Sequence, residues 1–274
     1  MQHEGTLCQF EPENSWVILS PIEQSIKRKI EAVGTPLKDW DINIYRGVLT
    51  GCNEAFIIST EKRNEILANC KDDDEKRRTE ELIRPILRGR DIKRYGYDWA
   101  NLWLINTHNG IKGKLERIHI EDYPAVKRHL DQFWDKIKNR ADQGDTPYNL
   151  RNCAYWDLFF QPHICWKAVG RNLAFALVND GIFLTAPASF ISAGEYDNLI
   201  LAYLCSNVGK YFIYKNSDTT GAGDIMLNIQ SLIKFPVPHG TFEPQSLSDE
   251  EINRYVYESY GLTEDEIAYI EEQI

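Results

Sequence analysis

Helix-forming and strand-forming patterns follow one another in an irregular order along this sequence. Near the start, Ser20-Pro21-Ile22-Glu23 combines a helix-capping serine, a proline suited to the first turn and a glutamate that completes a capping box. Apolar residues then recur on one face as far as Gly34, which predicts a helix that ends there. Residues 40–45 alternate apolar and polar side chains and predict a strand. Both kinds of element are therefore expected in one fold.

The remaining segments continue this mixture. Strands are predicted over residues 55–58, 102–106, 163–167, 173–178 and 182–185, with a hairpin at Asn179-Asp180-Gly181. Helices are predicted over 61–70, 76–86, 124–141 and 196–207, with 71–75 as a solvated break and Asp122 as the cap of the third helix. Two short C-terminal helices begin at the capping boxes Ser248-x-x-Glu251 and Thr263-x-x-Glu266.

No regular alternation of strand and helix is present, which argues against a doubly wound parallel sheet. The sequence therefore predicts an α+β fold, with a mixed β-sheet, peripheral helices and a short helical C-terminal tail.

Negative charge is concentrated near the C-terminus. The 274 residues carry a net charge of −10, from 31 Lys and Arg against 41 Asp and Glu. Residues 241–274 hold ten acidic residues and one basic residue, so residues 1–240 are close to neutral. Phosphate binding depends on clustered Lys and Arg, so nucleic acid is not excluded as a partner. We predict an N-terminal extension over 1–15, a main domain over 16–240 and an acidic helical tail over 241–274.

The sequence does not indicate a membrane protein or a metal-binding protein. No apolar run is long enough to span a membrane, and the acidic start lacks the apolar segment of a secretory signal. The six cysteines lack the spacing of a zinc site, which predicts reduced thiols in a cytoplasmic protein. His163 and Cys165 form an H-x-C pair that alternate positions on a strand explain without a metal.

No complete catalytic motif is present. The motifs G-x-x-x-x-G-K-[ST], G-x-S-x-G, H-E-x-x-H and the amino-methyltransferase N-P-P-[YF] are all absent. Gly221-Ala222-Gly223 is too short for a dinucleotide fingerprint and follows Thr220 rather than a strand. We therefore predict no catalytic residue, no metal and no bound cofactor in this chain.

Two loops carry side chains that suit contact with DNA. In Arg46-Gly47-x-x-Thr50-Gly51-x-Asn53, glycines let backbone N–H groups approach phosphate, and Thr and Asn bond phosphates or base edges. Arg88-Gly89-Arg90 places two arginines around a glycine, and arginine reads guanine in the major groove. Basic stretches over 76–94 and 112–140 would hold phosphates. A purely structural interpretation stays open, in which the glycines form turns and Arg90 pairs with Asp91.

Five blocks of sequence occur in a distinctive order. They are Pro36-Leu37-Lys38-Asp39-Trp40, residues 45–58, Leu87-Arg88-Gly89-Arg90-Asp91-Ile92, Thr146-Pro147-Tyr148-Asn149-Leu150-Arg151 and Phe235-Pro236-Val237-Pro238. These blocks resemble the TaqI-like C-terminal specificity domain, the target recognition domain of type IIG restriction–modification enzymes and related adenine-N6 DNA methyltransferases. Residues 255–267 are similar to the usual C-terminal end of such proteins, so the resemblance covers about residues 16–270.

The resemblance implies a division of labour within a longer enzyme. An upstream methyltransferase domain would bind S-adenosylmethionine and carry N-P-P-Y, whereas this chain, a non-catalytic piece of that enzyme, would recognise double-stranded DNA through residues 16–240. The loop over 217–223 would order on binding. The candidate DNA contacts are Arg46, Gly47, Thr50, Gly51, Asn53, Arg88, Arg90, Arg94, Arg151, Lys167, Arg171, Thr219 and Thr220.

Two other functions stay open at this stage. A protein-interaction or scaffold domain without a DNA role would account for the acidic segment and the net acidity. An enzyme complete within this chain is the third possibility. Affinity for duplex DNA that falls steeply with salt distinguishes DNA recognition from a scaffold role.

Overall fold

The computed structural model describes residues 19–179, 181–242 and 248–274. The predicted extension over 1–15 and Asp180 of the predicted hairpin lie outside these residues. In the described part of the chain, no helix is long and apolar enough to cross a membrane.

The described residues form α-helices and β-strands in mixed order. The helices are Pro21–Val33 (α1), Asn53–Phe56 (α2), Thr60–Ala68 (α3), Asp73–Leu82 (α4), Pro124–Asp131 (α5), Trp134–Ile137 (α6), Asp197–Cys205 (α7), Asn207–Asn216 (α8), Ile229–Leu232 (α9), Asp249–Tyr260 (α10) and Glu264–Glu272 (α11). The strands are Thr35–Pro36 (β1), Asn43–Arg46 (β2), Ile57–Ser59 (β3), Ile83–Leu87 (β4), Ile92–Lys93 (β5), Gly96–Tyr97 (β6), Leu102–Ile105 (β7), His163–Trp166 (β8), Val169–Gly170 (β9), Phe175–Val178 (β10), Phe183–Leu184 (β11), Ser189–Ser192 (β12), Asp218–Thr219 (β13), Ile225–Met226 (β14) and Pro236–Val237 (β15).

Two four-stranded sheets form the centre of the fold. The central sheet has the order β10-β8-β12-β2, and every neighbouring pair in it is antiparallel. The second sheet has the order β11-β4-β7-β3 and is mixed, because β11 runs parallel to β4 while the other pairs are antiparallel. The predicted α+β class with a mixed sheet is confirmed.

The central sheet separates two hydrophobic cores. Ile164 and Trp166 on β8 face the first core, while Cys165 between them faces the second, as the alternation of side chains along a strand requires. The first core also holds apolar side chains of α1, α7, α8, α10 and α11, so the two C-terminal helices pack on the main body of the fold. The second core holds the mixed sheet and helices α3 to α6.

Helix starts that depend on neighbours three residues apart are confirmed. The Ser20 hydroxyl accepts from the Glu23 N–H while the Glu23 carboxylate accepts from the Ser20 N–H, and α1 follows. The same reciprocal box begins α10 at Ser248 and α11 at Thr263. Each box satisfies backbone donors locally, so the sequence alone specifies it.

The predicted helix over 76–86 is wrong at both ends. The helix begins at Asp73 and ends at Leu82, and Ile83–Leu87 is a strand instead. Pro85 cannot donate a helical hydrogen bond and disfavours helical geometry in the preceding residue. The predicted solvated break also fails, because Glu75 is fully buried and accepts hydrogen bonds from the backbone N–H groups of Lys71 and Ala125, each at 2.8 Å.

The predicted helix over 124–141 is two shorter helices. Regular hydrogen bonding ends at Asp131 and resumes over Trp134–Ile137, although the apolar stripe continues into the second core. Asp122 does not cap α5, since the Glu75 carboxylate takes that role through the Ala125 N–H. The second strand, predicted over 55–58, begins later, because residues 55 and 56 belong to the helical turn Asn53–Phe56 and only Ile57–Ser59 is extended.

Three segments between residues 178 and 226 differ from prediction. The segment after β10 does not form a hairpin, because β10 pairs with β8 in the central sheet while β11 pairs with β4 in the second. The helix over 196–207 ends at Cys205, and a second helix, Asn207–Asn216, follows at once, capped by the Ser206 hydroxyl. The predicted loop over 217–223 contains β13, which pairs with β14 in a small sheet of order β13-β14-β9.

Candidate nucleic-acid interface

Strands β2 and β8 end beside each other at one edge of the central sheet. Both pair antiparallel with β12, which lies between them, so β2 and β8 run parallel to each other. Arg46, the last residue of β2, and Trp166, the last residue of β8, both pair with Ser189. The chain segments that follow these strands therefore leave the sheet at the same edge.

Two strands of the second sheet, β4 and β11, also end at this edge. Residues 184–189 connect β11 of the second sheet with β12 of the central sheet and contain the cis peptide bond Ala186–Pro187. The Gly47 N–H donates to the Ala188 carbonyl at 2.8 Å, and the Thr185 N–H donates to the Leu87 carbonyl at 2.9 Å. The segments after β2, β4 and β8 are thus gathered around one connection.

Two glycines allow this close approach. A Cβ atom on Gly47 would lie 2.5 Å from the Leu184 carbonyl oxygen, so no larger residue fits without backbone movement. A Cβ on Gly89 would lie 3.2 Å from the Cβ of Lys167, which brings the Arg88-Gly89-Arg90 turn against the end of β8. We name the strand-end surface by its members: residues 46–49, 88–90 and 167–171 and the hairpin 218–226.

A first cleft of about 400 Å³ opens in this surface. Tyr45 and Tyr155 stack in its wall with ring centroids 4.1 Å apart, and the Tyr155 hydroxyl donates to the Arg46 carbonyl at 3.1 Å. Burial raises the pKa of Tyr155 to about 12 and that of the neighbouring Cys153 thiol to about 11. Both groups therefore stay neutral at physiological pH. The complete lining is Ile44, Tyr45, Arg46, Gly47, Val48, Leu49, Arg151, Asn152, Cys153, Tyr155 and Ile229.

A second cleft of about 560 Å³ lies next to the first, and Asn152 and Cys153 line both. Its far wall is the loop over 109–117, whose tip exposes Lys112 and Lys114 on either side of Gly113. Asn109 anchors this loop, because its side chain bonds both the backbone and the carboxylate of Asp145. Basic side chains line both clefts, with Arg46 and Arg151 in the first and Lys112 and Arg117 in the second.

Comparison with known proteins identifies the family. Residues 84–237 match the TaqI-like C-terminal specificity domain, and this match spans more than half of the chain. The chain belongs to the TaqI-like C-terminal specificity domain family.

Two curated relatives of this specificity domain are methyltransferases. The chain is 24% identical over 257 residues to Type II methyltransferase M.BstVI of Geobacillus stearothermophilus, covering 91% of this chain and 42% of the relative. It is 22% identical over 281 residues to Type II methyltransferase M.XhoI of Xanthomonas vasicola, covering 97% and 48%. The specificity domain therefore spans less than half the length of these relatives.

A solved structure shares the fold. The type IIL restriction–modification enzyme MmeI, solved in complex with DNA, superposes with a TM-score of 0.59 at 13% sequence identity. The alignment covers 87% of this specificity domain and 36% of that chain.

Most of the predicted contact residues lie together on the strand-end surface. Arg46, Arg90, Arg171 and Thr219 are exposed there, and Arg171 lies 3.6 Å from the Asp224 carboxylate of the hairpin. Other members are partly buried or engaged within the protein, and Arg151 joins the surface through the first cleft. The predicted residues gathered in this way are Arg46, Gly47, Arg88, Arg90, Arg151, Lys167, Arg171, Thr219 and Thr220.

Two features of the Arg46–Asn53 motif are structural. The Gly47 N–H, which we expected to approach phosphate, is taken by the Ala188 carbonyl. Thr50 is 2% exposed, and its hydroxyl donates to the Asn53 side chain at 2.5 Å, which fixes the turn. Gly51 provides a positive φ of 64° in that turn and lies against Arg140. Thr50 and Gly51 shape the loop, and Asn53 alone of these three offers an exposed side chain.

Two predicted arginines are held by carboxylates. Arg88, rather than Arg90, forms the local ion pair with Asp91. Arg94 donates to the Cys205 carbonyl at 2.8 Å and lies 2.8 Å from Asp249, so it joins the end of α7 to the start of α10. Arg94 is therefore held by α7 and α10, and its guanidinium is engaged within the protein.

Many basic side chains in the two basic stretches are engaged within the protein. Lys127, Lys136 and Lys138 pair with Asp131, Glu54 and Asp135, respectively. Arg140 is 6% exposed and donates to the carbonyls of Thr50, Pro147 and Asn149 while it lies over the Phe56 ring. Counting bases in sequence overestimated the charge available for phosphate. Lys112 and Lys114, by contrast, form no ion pair with the described residues, and the Asn-Gly-rich run around them was the signal for their exposed loop.

Proposed function

We propose that this chain recognises the DNA target of a restriction–modification adenine-N6 methyltransferase and leaves catalysis to another part of that enzyme. One observation carries the proposal. Segments that follow three strands of two different sheets bring the exposed Arg46, Arg90 and Arg171 to one surface, in which the first cleft opens. The chain's membership of a specificity-domain family supports DNA target recognition as the function of this surface.

The proposed contacts divide into two kinds. Lys112 and Lys114 stand at the tip of an exposed loop and are suited to phosphates, which fix register without reading sequence. Arg46 ends β2 and Arg90 lies in the turn after β4, and each adjoins a closely packed glycine at which a Cβ atom would crowd its neighbours. A guanidinium held on such a turn is suited to bidentate contact with guanine in the major groove.

We assign the remaining chemistry to an upstream methyltransferase domain. That domain would bind S-adenosylmethionine and methylate adenine, whereas this chain would bind double-stranded DNA and contribute no catalytic residue. We expect such a protein in the cytoplasm, where it meets its DNA.

Salt-dependent binding tests the proposal. Anisotropy of a labelled random-sequence duplex, measured with the 274-residue chain, should give an affinity that falls linearly on a log–log scale between about 50 mM and 200 mM salt. A scaffold domain without a DNA role would show no duplex affinity at the lower salt concentration. That result would overturn the proposal.

Target recognition itself requires a second readout. In the full-length enzyme, Arg90→Ala should relax one position of the methylated site, as detected by mapping N6-methyladenine along a plasmid. Lys112→Ala should lower methylation at all sites about equally, because a phosphate contact carries no sequence information.

A further inference from the structure

We propose that the first cleft accepts a single unstacked nucleobase. This inference rests on the proposed function, because it adds a ligand site to the same DNA-binding surface. The cleft combines a pair of stacked tyrosines, four aliphatic side chains and two arginines at its rim. Phosphate contacts need none of the apolar components, whereas a planar base needs an aromatic or aliphatic wall.

The aromatic wall is rigid. Tyr45 and Tyr155 stack at an interplanar angle of 9°, and Tyr155 is tied to the end of β2 by its hydroxyl. Phe190 of the second core lies 6.1 Å from the Tyr155 ring and supports the pair from behind. A wall that is already ordered binds a flat ring with little additional loss of side-chain entropy.

The positive charge of Arg46 and Arg151 favours an anionic occupant of the first cleft. Arg46 is exposed at the end of β2, and Arg151, which also lines the cleft, is exposed with its guanidinium 3.1 Å from Asp142. A nucleobase enters a protein together with its anionic sugar–phosphate, which two arginines at the rim would hold. A neutral apolar peptide side chain would gain nothing from this rim. The cleft volume of about 400 Å³ is within the range of ligand pockets, roughly 300–1,000 Å³.

Leu49 provides a means to test the cleft. It lines the cleft but belongs to neither hydrophobic core of the described residues, whereas Ile44, Val48 and Ile229 pack against a core. Leu49→Trp should therefore fill the cleft without disturbing the interior. Leu115, which is half-buried in the second cleft and also outside both cores, offers Leu115→Ala as a matched control.

The experiment compares three duplexes of the same sequence: fully paired, with one unpaired thymine, and with an abasic residue at the same bulge. The abasic bulge has the same backbone and similar flexibility, so the ratio of the two bulge affinities isolates the base. We expect the thymine bulge to bind at least about fivefold more tightly than the abasic bulge, as one base stacked on an aromatic wall provides. Leu49→Trp should bring this ratio close to one, and Leu115→Ala should leave it unchanged.

Each outcome decides the inference. Equal affinity for the two bulges, with normal binding of the paired duplex, would overturn the base site and leave the proposed function intact. A thymine preference that survives Leu49→Trp, in protein whose thermal unfolding is unchanged, would also overturn it. Should that variant unfold, Leu49→Phe fills the cleft with a smaller ring, and the ratio must fall there too. Absence of binding to any duplex would overturn both the base site and DNA recognition.

Discussion

The Arg88 guanidinium donates two hydrogen bonds to the Asp91 carboxylate, from Nε to Oδ2 at 3.0 Å and from Nη2 to Oδ1 at 2.8 Å. The Arg88 backbone N–H donates to the same carboxylate at 2.8 Å. Burial would raise the pKa of Asp91, but the hydrogen bonds from Arg88 lower it below its usual value. The neighbouring Arg90 points to solvent and forms no ion pair with the described residues.

These two arginines should therefore respond differently to truncation. Arg88→Ala leaves the nearly buried Asp91 without its partner and should lower the free energy of unfolding by about 1–3 kcal/mol. Arg90→Ala should leave stability unchanged and weaken DNA binding by about 1–3 kcal/mol if Arg90 reads a base. Urea unfolding and duplex anisotropy measure the two effects. Equal loss of stability in both variants would contradict the assignment.

Gly47 should tolerate no side chain. Gly47→Ala would place a methyl group 2.5 Å from the Leu184 carbonyl oxygen, so the connection between the two sheets must move. We expect a loss of about 1–3 kcal/mol in unfolding free energy, which is typical of overpacking. Gly96→Ala is the matched control, because its Cβ meets no atom within 4 Å and its φ is not positive. A stable Gly47→Ala protein would show that the strand ends are looser than described.

Arg140 should resist replacement by lysine. Its guanidinium donates to three backbone carbonyls of two loops, including the Thr50 carbonyl at 2.8 Å, and lies 4.5 Å above the Phe56 ring. A lysine ammonium lacks this planar fork, so Arg140→Lys should cost about 2 kcal/mol of stability despite the retained charge. Lys138→Ala, on the exposed side of the same segment, should cost less than about 1 kcal/mol. Thermal unfolding distinguishes the two variants.

Glu266 should make stability depend on pH. Burial would raise its pKa, but hydrogen bonds from Lys29, the Thr263 N–H and Ser25 lower it to about 2 from an ordinary 4.5. The unfolded state then binds more protons between these values, so the stabilisation is complete above about pH 5 and is lost as pH falls toward 2.

Glu266→Gln should therefore lower stability at pH 7 by about 1–2 kcal/mol and reduce the acid sensitivity between those pH values. Glu23, whose pKa the Lys215 ammonium lowers to about 2, retains part of the sensitivity in that variant. Glu272→Gln, exposed on the same helix, is the control. Unfolding by urea at several pH values provides the measurement, and parallel profiles for Glu266→Gln and the unsubstituted protein would contradict the assignment.

Features encoded by near neighbours could be predicted from sequence. The three capping boxes and the buried strand over 102–105 were identified because the determining contacts lie within a few residues or one apolar run. The burial of Glu75 could not be identified, because its second hydrogen-bond donor is Ala125, far along the chain. The run of acidic residues suggested an exposed segment. In the structure, the Ala125 N–H at the start of α5 donates to the buried Glu75 carboxylate and compensates for its loss of solvent.

The candidate site shows the same limit. Individual arginines and glycines were identified from their motifs, but the clefts combine residues near 45, near 152 and at 229. Contacts between segments far apart in sequence, such as Tyr155 on Tyr45 and on the Arg46 carbonyl, bring them together, and sequence periodicity contains no information on such contacts. For the same reason, the sequence could not separate the exposed Arg90 from Arg94, whose guanidinium pairs with the distant Asp249.

The most direct test replaces three exposed arginines from three different segments of the strand-end surface. The variant Arg46→Ala, Arg90→Ala, Arg171→Ala is compared with Arg28→Ala, Lys38→Ala, Arg254→Ala, which removes equal charge from exposed positions elsewhere. Duplex affinity is measured across a salt series for each. The strand-end variant should lose at least about 100-fold in affinity at low salt, with a salt slope smaller by about 2–3, while the control retains most of both. Equal losses in the two variants, or no loss in either, would contradict DNA recognition by the strand-end surface.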